Sequence, residues 1–188
     1  MRNSIRLGLT AFLISFCFET VFYIFDLASN STIGFISFAF HSLNLITVVL
    51  YSIVNWKKNG SNNKGTIDKI KSGFTISFIF SLLISIYFFS YHKWINPEYL
   101  NTKKTQLIEL TLKKSVLEDA QERIKQDPNY YDGKSAEDLV EMQQDNIKEV
   151  LMPSKILPIS IFTFLFIGMF FTILIALMSK FLDSKFNK

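Results

Sequence analysis

The sequence predicts an all-α fold, a four-transmembrane-helix integral membrane protein with a helical hairpin inserted between helices 3 and 4. The chain has 188 residues and is 49% hydrophobic, a fraction that a soluble domain could also reach. The clustering of the apolar residues favours a membrane protein over a soluble domain. They gather into four blocks of about 20 residues, the length that a helix needs to cross a hydrocarbon core about 30 Å thick. The charged residues collect between these blocks.

We expect three segments along the chain. Residues 1–92 hold the first three spans, at about 7–27, 32–56 and 73–91. Residues 93–155 form an extramembrane helical segment, and residues 156–188 hold the fourth span, at about 156–178, and a basic tail. The first block follows basic residues as a signal peptide does, but its length and the presence of Glu19 favour a retained span.

Two connections flank the second block. The turn Ala28–Ser31 is so short that the first two spans must form an antiparallel hairpin. The next connection is a flexible basic loop, in which Ile67 and Ile70 among lysines indicate a short amphipathic helix lying on the headgroups. The loop should face lipid through Lys57, Lys58, Lys69 and Lys71. These lysines either anchor the topology only or also bind anionic lipid.

The long polar segment has the apolar spacing of helices. The pattern predicts one helix over residues 98–126, a break around Pro128 and Gly133, and a second helix that begins with an N-cap at Ser135 and ends near Met152–Pro153. Asn96–Pro97 should end the third spanning helix, because proline removes a backbone donor and restricts the preceding residue. Pro158 should fall in the first turn of the fourth span, where a missing N–H costs little.

The distribution of lysine and arginine predicts the orientation. Basic residues near span ends prefer the cytoplasm, and the lysine-rich loop and basic tail lie on one side of the predicted membrane. We therefore expect a multi-pass protein of a bacterial inner membrane with both termini cytoplasmic and residues 93–155 periplasmic. The net charge of +4 is explained by this topology, so nucleic acid is not an expected partner.

Glu19 is the most informative polar residue, because an ionisable side chain in a span should face the bundle and have a partner. Glu19 and His41 each lie about 10–14 Å below the outer end of the hairpin at about 1.5 Å per residue. We therefore interpret them as an intramembrane polar pair, with Asn44 on the same face of the second span. The pair could hold the hairpin together, take part in a proton or ion pathway, or contain a Glu19 that is simply hydrated near the interface.

The third span carries small residues four apart, Gly73, Ser77, Ser81 and Ser85. Small residues at this spacing let another helix approach closely. The stripe therefore predicts a packing face for another span or for a second copy of the chain, and a ligand groove is the alternative.

The sequence contains none of the patterns that we looked for in enzymes. The single cysteine is Cys17, the two histidines lie far apart, and no Gly-rich phosphate loop or metal-ligand spacing occurs. We therefore expect no catalytic residue, no metal and no cofactor, and predict that the protein is not an enzyme.

Three functions compete. The first is a structural or interaction protein that anchors a periplasmic helical hairpin. The second is a small transporter or channel subunit that uses Glu19 and His41, although four spans are few for a transporter and no inverted repeat is visible. The third is a membrane-embedded enzyme at the same pair. The expected partners are the lipid bilayer and either a second copy or an unidentified membrane or periplasmic protein.

The run GTIDKIKSGFTISFIFSLLISIYFFSYHKWINPEYL resembles the core of a bacterial membrane protein family, domain of unknown function 4199. The lead-in carries Gly65, Lys71, Gly73 and Phe74, and the exit from the span carries Tyr91, Ile95, Asn96 and Pro97. The order of spans, basic loop and helical segment also matches, but residues 67–70 stand where the family often has an aromatic–Gly–acid–Ala run. The resemblance implies an inner-membrane protein of Gram-negative bacteria and implies no activity, substrate or cofactor.

Overall fold

The structure is a computed structural model that describes residues 2–25, 31–55 and 65–186, with side chains for residues 2–25, 34–55 and 65–181. Most of the predicted turn between the first two spans lies outside these ranges. All regular structure within them is helical, which confirms the all-α prediction there. The helices are α1 (Arg2–Ile24), α2 (Ser31–Val54), α3 (Thr66–Ser90), a π-helical turn (Tyr91–Ile95), α4 (Pro97–Thr111), α5 (Lys114–Gln126), α6 (Ala136–Val150) and α7 (Pro153–Phe186).

Four of these helices are long and apolar enough to cross a membrane, as the sequence predicted. The qualifying stretches are Arg2–Ile24, Gly34–Val54, Thr66–Ile95 and Pro153–Phe181. Large apolar side chains lie exposed along them, including Leu13, Phe35, Phe78 and Phe166. Exposed apolar surface on this scale is unusual in a soluble monomer and is what a lipid-facing surface requires.

Two predicted boundaries are wrong. Ile67 and Ile70 do not lie in a separate surface helix, because α3 starts at Thr66 and runs through both residues without a break. Pro158 lies inside α7 and not in its first turn, because Pro153 already occupies the start of that helix. A proline is suited to the first helical position because its missing N–H has no partner there.

The predicted break at Asn96–Pro97 is confirmed. The third spanning helix ends in the π-helical turn, in which the Asn96 N–H donates to the Tyr91 carbonyl at 2.8 Å. The Asn96 side chain then accepts from the Tyr99 N–H, and Pro97 starts α4. Asn96 is therefore both the end of one helix and the N-cap of the next.

The four spanning helices contribute to one apolar core. Its buried side chains come from α1 (Ala11), α2 (Leu45, Val49, Ile53), α3 (Ile76, Phe80, Ile84) and α7 (Phe164, Ile175, Ala176). The core belongs to one of two compact units, Met1–Phe88 with Pro158–Lys188. Here we call it the spanning unit.

The second compact unit is Phe89–Leu157, here called the polar unit. The single helix predicted over residues 98–126 is wrong: α4 and α5 are separate, and Lys113 between them has an extended backbone with φ −68° and ψ 141°. The break allows α6 to pack against both α4 and α5. Gln144 of α6 holds the end of α4 by donating to the buried Thr111 hydroxyl at 3.0 Å. Three complete α-helices, α4, α5 and α6, therefore lie within the polar unit where the sequence predicted a two-helix hairpin.

Candidate functional site

The candidate site is a polar cluster between α1 and α2 in the spanning unit. The structure brings Glu19 and His41 into contact, with 2.7 Å between the carboxylate Oε1 and the imidazole Nε2. Ser37, one turn before His41, donates its hydroxyl hydrogen to the same Oε1, and its oxygen lies 3.1 Å from Nε2. Two polar side chains of α2 therefore meet at one carboxylate oxygen of α1.

His41 is fully buried, whereas the Glu19 side chain is 16% exposed. Aromatic rings from all four spanning helices surround the imidazole, with centroid distances of 5.5 Å to Phe88, 5.9 Å to Phe40, and 6.2 Å to Phe18 and Phe164. This apolar shell keeps water away from His41. Each hydrogen bond of the imidazole is therefore electrostatically stronger than it would be at a water-exposed surface.

The two ring nitrogens of His41 have different surroundings. Nε2 lies within hydrogen-bonding distance of the Glu19 carboxylate and of the Ser37 hydroxyl. Nδ1 is buried and has no hydrogen-bond partner among the described residues.

Asn44 lies on the same helix but belongs to a different contact. Its side-chain amide donates to the Ala11 carbonyl at 2.7 Å and to the Ser15 hydroxyl at 2.9 Å. The sequence placed Asn44 with the pair, and the structure places it one turn away on α2, where it joins α1 and α2 at a second point.

Sequence reasoning missed a second polar cluster in the spanning unit. The hydroxyl of Ser72 lies 2.7 Å from that of Ser4 and 3.0 Å from that of Ser52, and all three residues are buried. The matching depth of Ser4 and Ser52 in the predicted hairpin could have indicated this contact, by the argument that paired Glu19 with His41. Serines are so common in spans that matching depth alone does not single out a contact between them.

The small-residue stripe on α3 is fully or almost fully buried: Gly73, Ser77, Ser81 and Ser85. A Cβ atom on Gly73 would lie 2.4 Å from Cγ2 of Thr172 in α7, and one on Gly168 would lie 2.3 Å from Oγ of Ser77. At each of these glycines a side chain of the other helix occupies the space that a Cβ would need, so α3 and α7 approach too closely there for a larger residue. Another span of the same chain occupies this face.

The four lysines grouped by sequence do not share one environment. Lys57 and Lys58 lie outside the described residues. Lys71 is exposed in the second turn of α3. Lys69 is also helical, but it is only 8% exposed and its Nζ donates to the Ser179 hydroxyl of α7 at 2.7 Å. The prediction of a lipid-facing loop residue is wrong for Lys69, because the helix extends back to Thr66 and turns this side chain inward.

The cluster combines a hydroxyl, an imidazole and a carboxylate, but these groups are not arranged as in a catalytic triad. In a triad the carboxylate bonds to one ring nitrogen of the histidine and the hydroxyl of the nucleophile faces the other ring nitrogen. Here Glu19 and Ser37 both contact Nε2, and Ser37 donates to the carboxylate directly. No group of three or more metal-binding side chains occurs within the described part of the chain. The arrangement is suited to joining two helices.

The polar unit carries two clefts on its surface. One has a volume of about 540 Å³, lies between α5 and α6, and includes Ala120, Arg123 and Met142 in its walls. The other has a volume of about 400 Å³ and is bordered by Leu112 and Leu117 on one side and Val140 of α6 on the other. Leu112, at the break between α4 and α5, is 70% exposed.

Comparison with known proteins gives a family but no characterised relative. No curated protein and no solved structure matches the chain. A family model described as "Protein of unknown function (DUF4199)" matches residues 6–180, which include most of each of the four spanning helices and the whole polar unit. The match covers well over half of the 188 residues and agrees with the resemblance carried by Gly73 and Phe74 and by Asn96 and Pro97, so the chain belongs to the DUF4199 family of proteins of unknown function.

Proposed function

We propose that this protein is a non-enzymatic interaction protein of a bacterial inner membrane. Its four spanning helices anchor the polar unit, which docks another protein on the periplasmic side. Both termini lie in the cytoplasm. The basic residues that flank the spans support this orientation, since they lie mainly on the side of residues 56–71 and of the C-terminal tail.

The observation that carries the proposal is the exposed apolar surface beside the two clefts of the polar unit. Leu112 borders one cleft and Met142 the other, and Leu110 and Val150 are also exposed. Clefts with apolar walls and a few polar groups are common binding sites. A unit whose helices are mostly polar would gain solubility by replacing these side chains, so their exposure favours a docking role.

The interior of the spanning unit supports anchoring over transport. At about 1.5 Å per residue, the Asn44 and Ser52 contacts are about 12 Å apart along α2. Leu45 and Val49 lie between them and are fully buried, as are Ile76 and Phe80 of α3. A continuous proton or ion pathway would need linked polar groups or water through this layer. The buried hydroxyls of Ser77 and Ser81 at this level each donate to a carbonyl of their own helix, so they do not link into such a pathway among the described residues.

The topology can be tested by thiol labelling in cells. In a Cys17→Ser background, single cysteines at Asn62 and Tyr130 are treated with a membrane-impermeant maleimide. We expect labelling of the Tyr130→Cys variant in intact cells and of the Asn62→Cys variant only after the membrane is opened. Equal labelling of both variants in intact cells would contradict the proposed orientation.

The docking role can be tested by photocrosslinking in native membranes. A benzophenone amino acid replaces Leu112, and the matched control replaces Gln121, an exposed residue of α5 that lines neither cleft. We expect a discrete crosslinked protein at position 112 and a much weaker product at position 121. Equal products at both positions, or no crosslinked protein at either, would contradict a docking role for this surface.

A further inference from the structure

The cleft bordered by Leu112 and Leu117, here called the Leu112 cleft, is basic toward one end and acidic toward the other. Gln144 of α6 donates to Thr111, and two lysines of the cleft, at positions 113 and 114, follow Thr111 closely in the chain. The residues of α6 that line the cleft at helical spacing are Glu137, Glu141, Gln144 and Lys148. On this face the two acids precede Gln144, and the lysine follows it by one turn. The lysines therefore lie around the Gln144 contact, and the acids lie nearer the start of α6.

Charges of both signs in this cleft are available to a partner. Two of the lysines are already paired on their own helices, Lys148 with Asp145 at 2.8 Å and Lys114 with Glu118 at 3.4 Å. Other charges of the cleft are exposed and form no ion pair among the described residues: Lys113, Glu137 and Glu141. A surface that docks on this cleft can therefore meet an unpaired lysine and unpaired glutamates.

The floor of the cleft is apolar and partly open to solvent. Leu112 is 70% exposed, and Leu117 and Val140 beside it are half-buried. Covering these side chains would remove apolar surface from water, which is the main attraction in most protein contacts. Exposed ion pairs add little affinity, but they select the partner and fix its register. The charges around the floor therefore indicate which surface fits it.

A second copy of the chain carries the charges that this surface requires. A twofold axis through the cleft brings the same patch of both copies together and reverses its direction, so the basic end of each copy faces the acidic end of the other. Lys113 of each copy then faces Glu141 of the other, and this pairing occurs twice. Copies inserted in one membrane with the same orientation also hold their polar units on the same side, which raises the local concentration of one for the other.

We propose that the Leu112 cleft is the contact between two copies of this chain, with Lys113 of each copy paired with Glu141 of the other around the buried Leu112 side chains. The inference rests on the proposed interaction function and names the partner at one of its two clefts. The cleft beside Met142 remains for the docking of a different protein.

The test is photocrosslinking in cells that produce the chain with two distinguishable tags and a benzophenone amino acid in place of Leu112. We expect a product that contains both tags. Placed in both tagged chains, Lys113→Glu or Glu141→Lys should each lower its yield about tenfold, because each change turns two attractions into repulsions. The matched control Lys125→Glu alters an exposed lysine of α5 that lines neither cleft and should keep the yield within about twofold. All yields are expressed per amount of chain in the membrane.

Producing one chain with Lys113→Glu together with the other chain with Glu141→Lys tests the pairing directly. Between these two variants both pairings again join opposite charges, so the mixed product should return to within about twofold of the natural yield. This recovery would also show that both variants fold. Unchanged yields in the single variants, or a mixed product that stays as low as they are, would overturn the proposal.

The identity of the product separates this inference from the proposed docking function. A product at Leu112 that joins the chain to a different protein, with none that contains both tags, overturns the contact between copies and leaves the docking function in place. The absence of any crosslinked protein at Leu112 overturns both.

Discussion

Adding one methyl group to Gly73 should destabilise the spanning unit although alanine is the better helix former. A Cβ at this position would lie 2.4 Å from Cγ2 and 2.5 Å from Oγ1 of Thr172. Thr172 cannot simply rotate away, because its hydroxyl donates to the Gly168 carbonyl at 2.6 Å and the side chain is fully buried. The helices must separate or that bond must break.

The magnitude follows from two opposing effects. Overpacking a close interface costs about 1–3 kcal/mol, and replacing a helical glycine by alanine returns about 0.5–1 kcal/mol. We therefore expect Gly73→Ala to lower the free energy of unfolding by about 1–2 kcal/mol. The assay is reversible unfolding of the purified protein in mixed micelles, with increasing fractions of denaturing detergent.

The matched controls isolate the contact with Thr172. Gly65→Ala has no atom within 4 Å of the added Cβ and should change stability little. Thr172→Ala removes both clashing atoms, so the double variant Gly73→Ala/Thr172→Ala should lose less than the sum of its single variants. Additive losses, or a stabilising effect of Gly73→Ala alone, would refute the close approach of α3 and α7.

Three further predictions address the other contacts. In a double-mutant cycle of unfolding free energies in detergent, Glu19→Gln and His41→Ala should show a coupling energy of about 1 kcal/mol. The control pair is Glu19→Gln with Ser42→Ala, because the Ser42 hydroxyl donates to the Phe38 carbonyl of its own helix. The effects of the control pair on the unfolding free energy should be additive. Lys69→Met should lower the free energy of unfolding by about 1–3 kcal/mol through loss of the hydrogen bond to Ser179. Lys71→Met should change that free energy by less than about 0.5 kcal/mol. Equal effects of the two substitutions would contradict the inward position of Lys69. Hydrogen bonds from the backbone and then the side chain of Ser135 hold the pKa of Asp138 below its ordinary value of 3.8. The stabilisation of α6 by the ionised Asp138 side chain is therefore full above pH 3.8 and is lost as the pH falls through the lower pKa of the folded state. Amide hydrogen exchange in α6 should accelerate on acidification, and it should accelerate less in Asp138→Asn.

The positions of the spans could be predicted from sequence, since they depend on the length and composition of single segments. The N-cap of α6 was also predictable, because Ser135 and Asp138 are close in sequence and form the expected reciprocal hydrogen bonds. The break between α4 and α5 could not be predicted from the sequence. The apolar spacing continues through Leu110 and Leu117 as though one helix were present, and the contacts of α6 with both helices accompany the break. Tertiary packing of this kind leaves no local signal at Leu112 or Lys113.

The contact between Glu19 and His41 and the contact between Lys69 and Ser179 differ in what a sequence can reveal. Glu19 and His41 lie on helices joined by a short turn, so antiparallel geometry and a rise of about 1.5 Å per residue fix their relative depth. Lys69 and Ser179 are 110 residues apart, and no rule of chain connection says that α3 meets α7. Only the small-residue stripe of α3 indicated a close neighbour, and it left open which helix that was. The sequence of a membrane protein thus predicts contacts between two helices of a hairpin, but for helices distant in the chain it predicts only which face packs. The glycines at 73 and 168 allow this face of α3 to pack against α7.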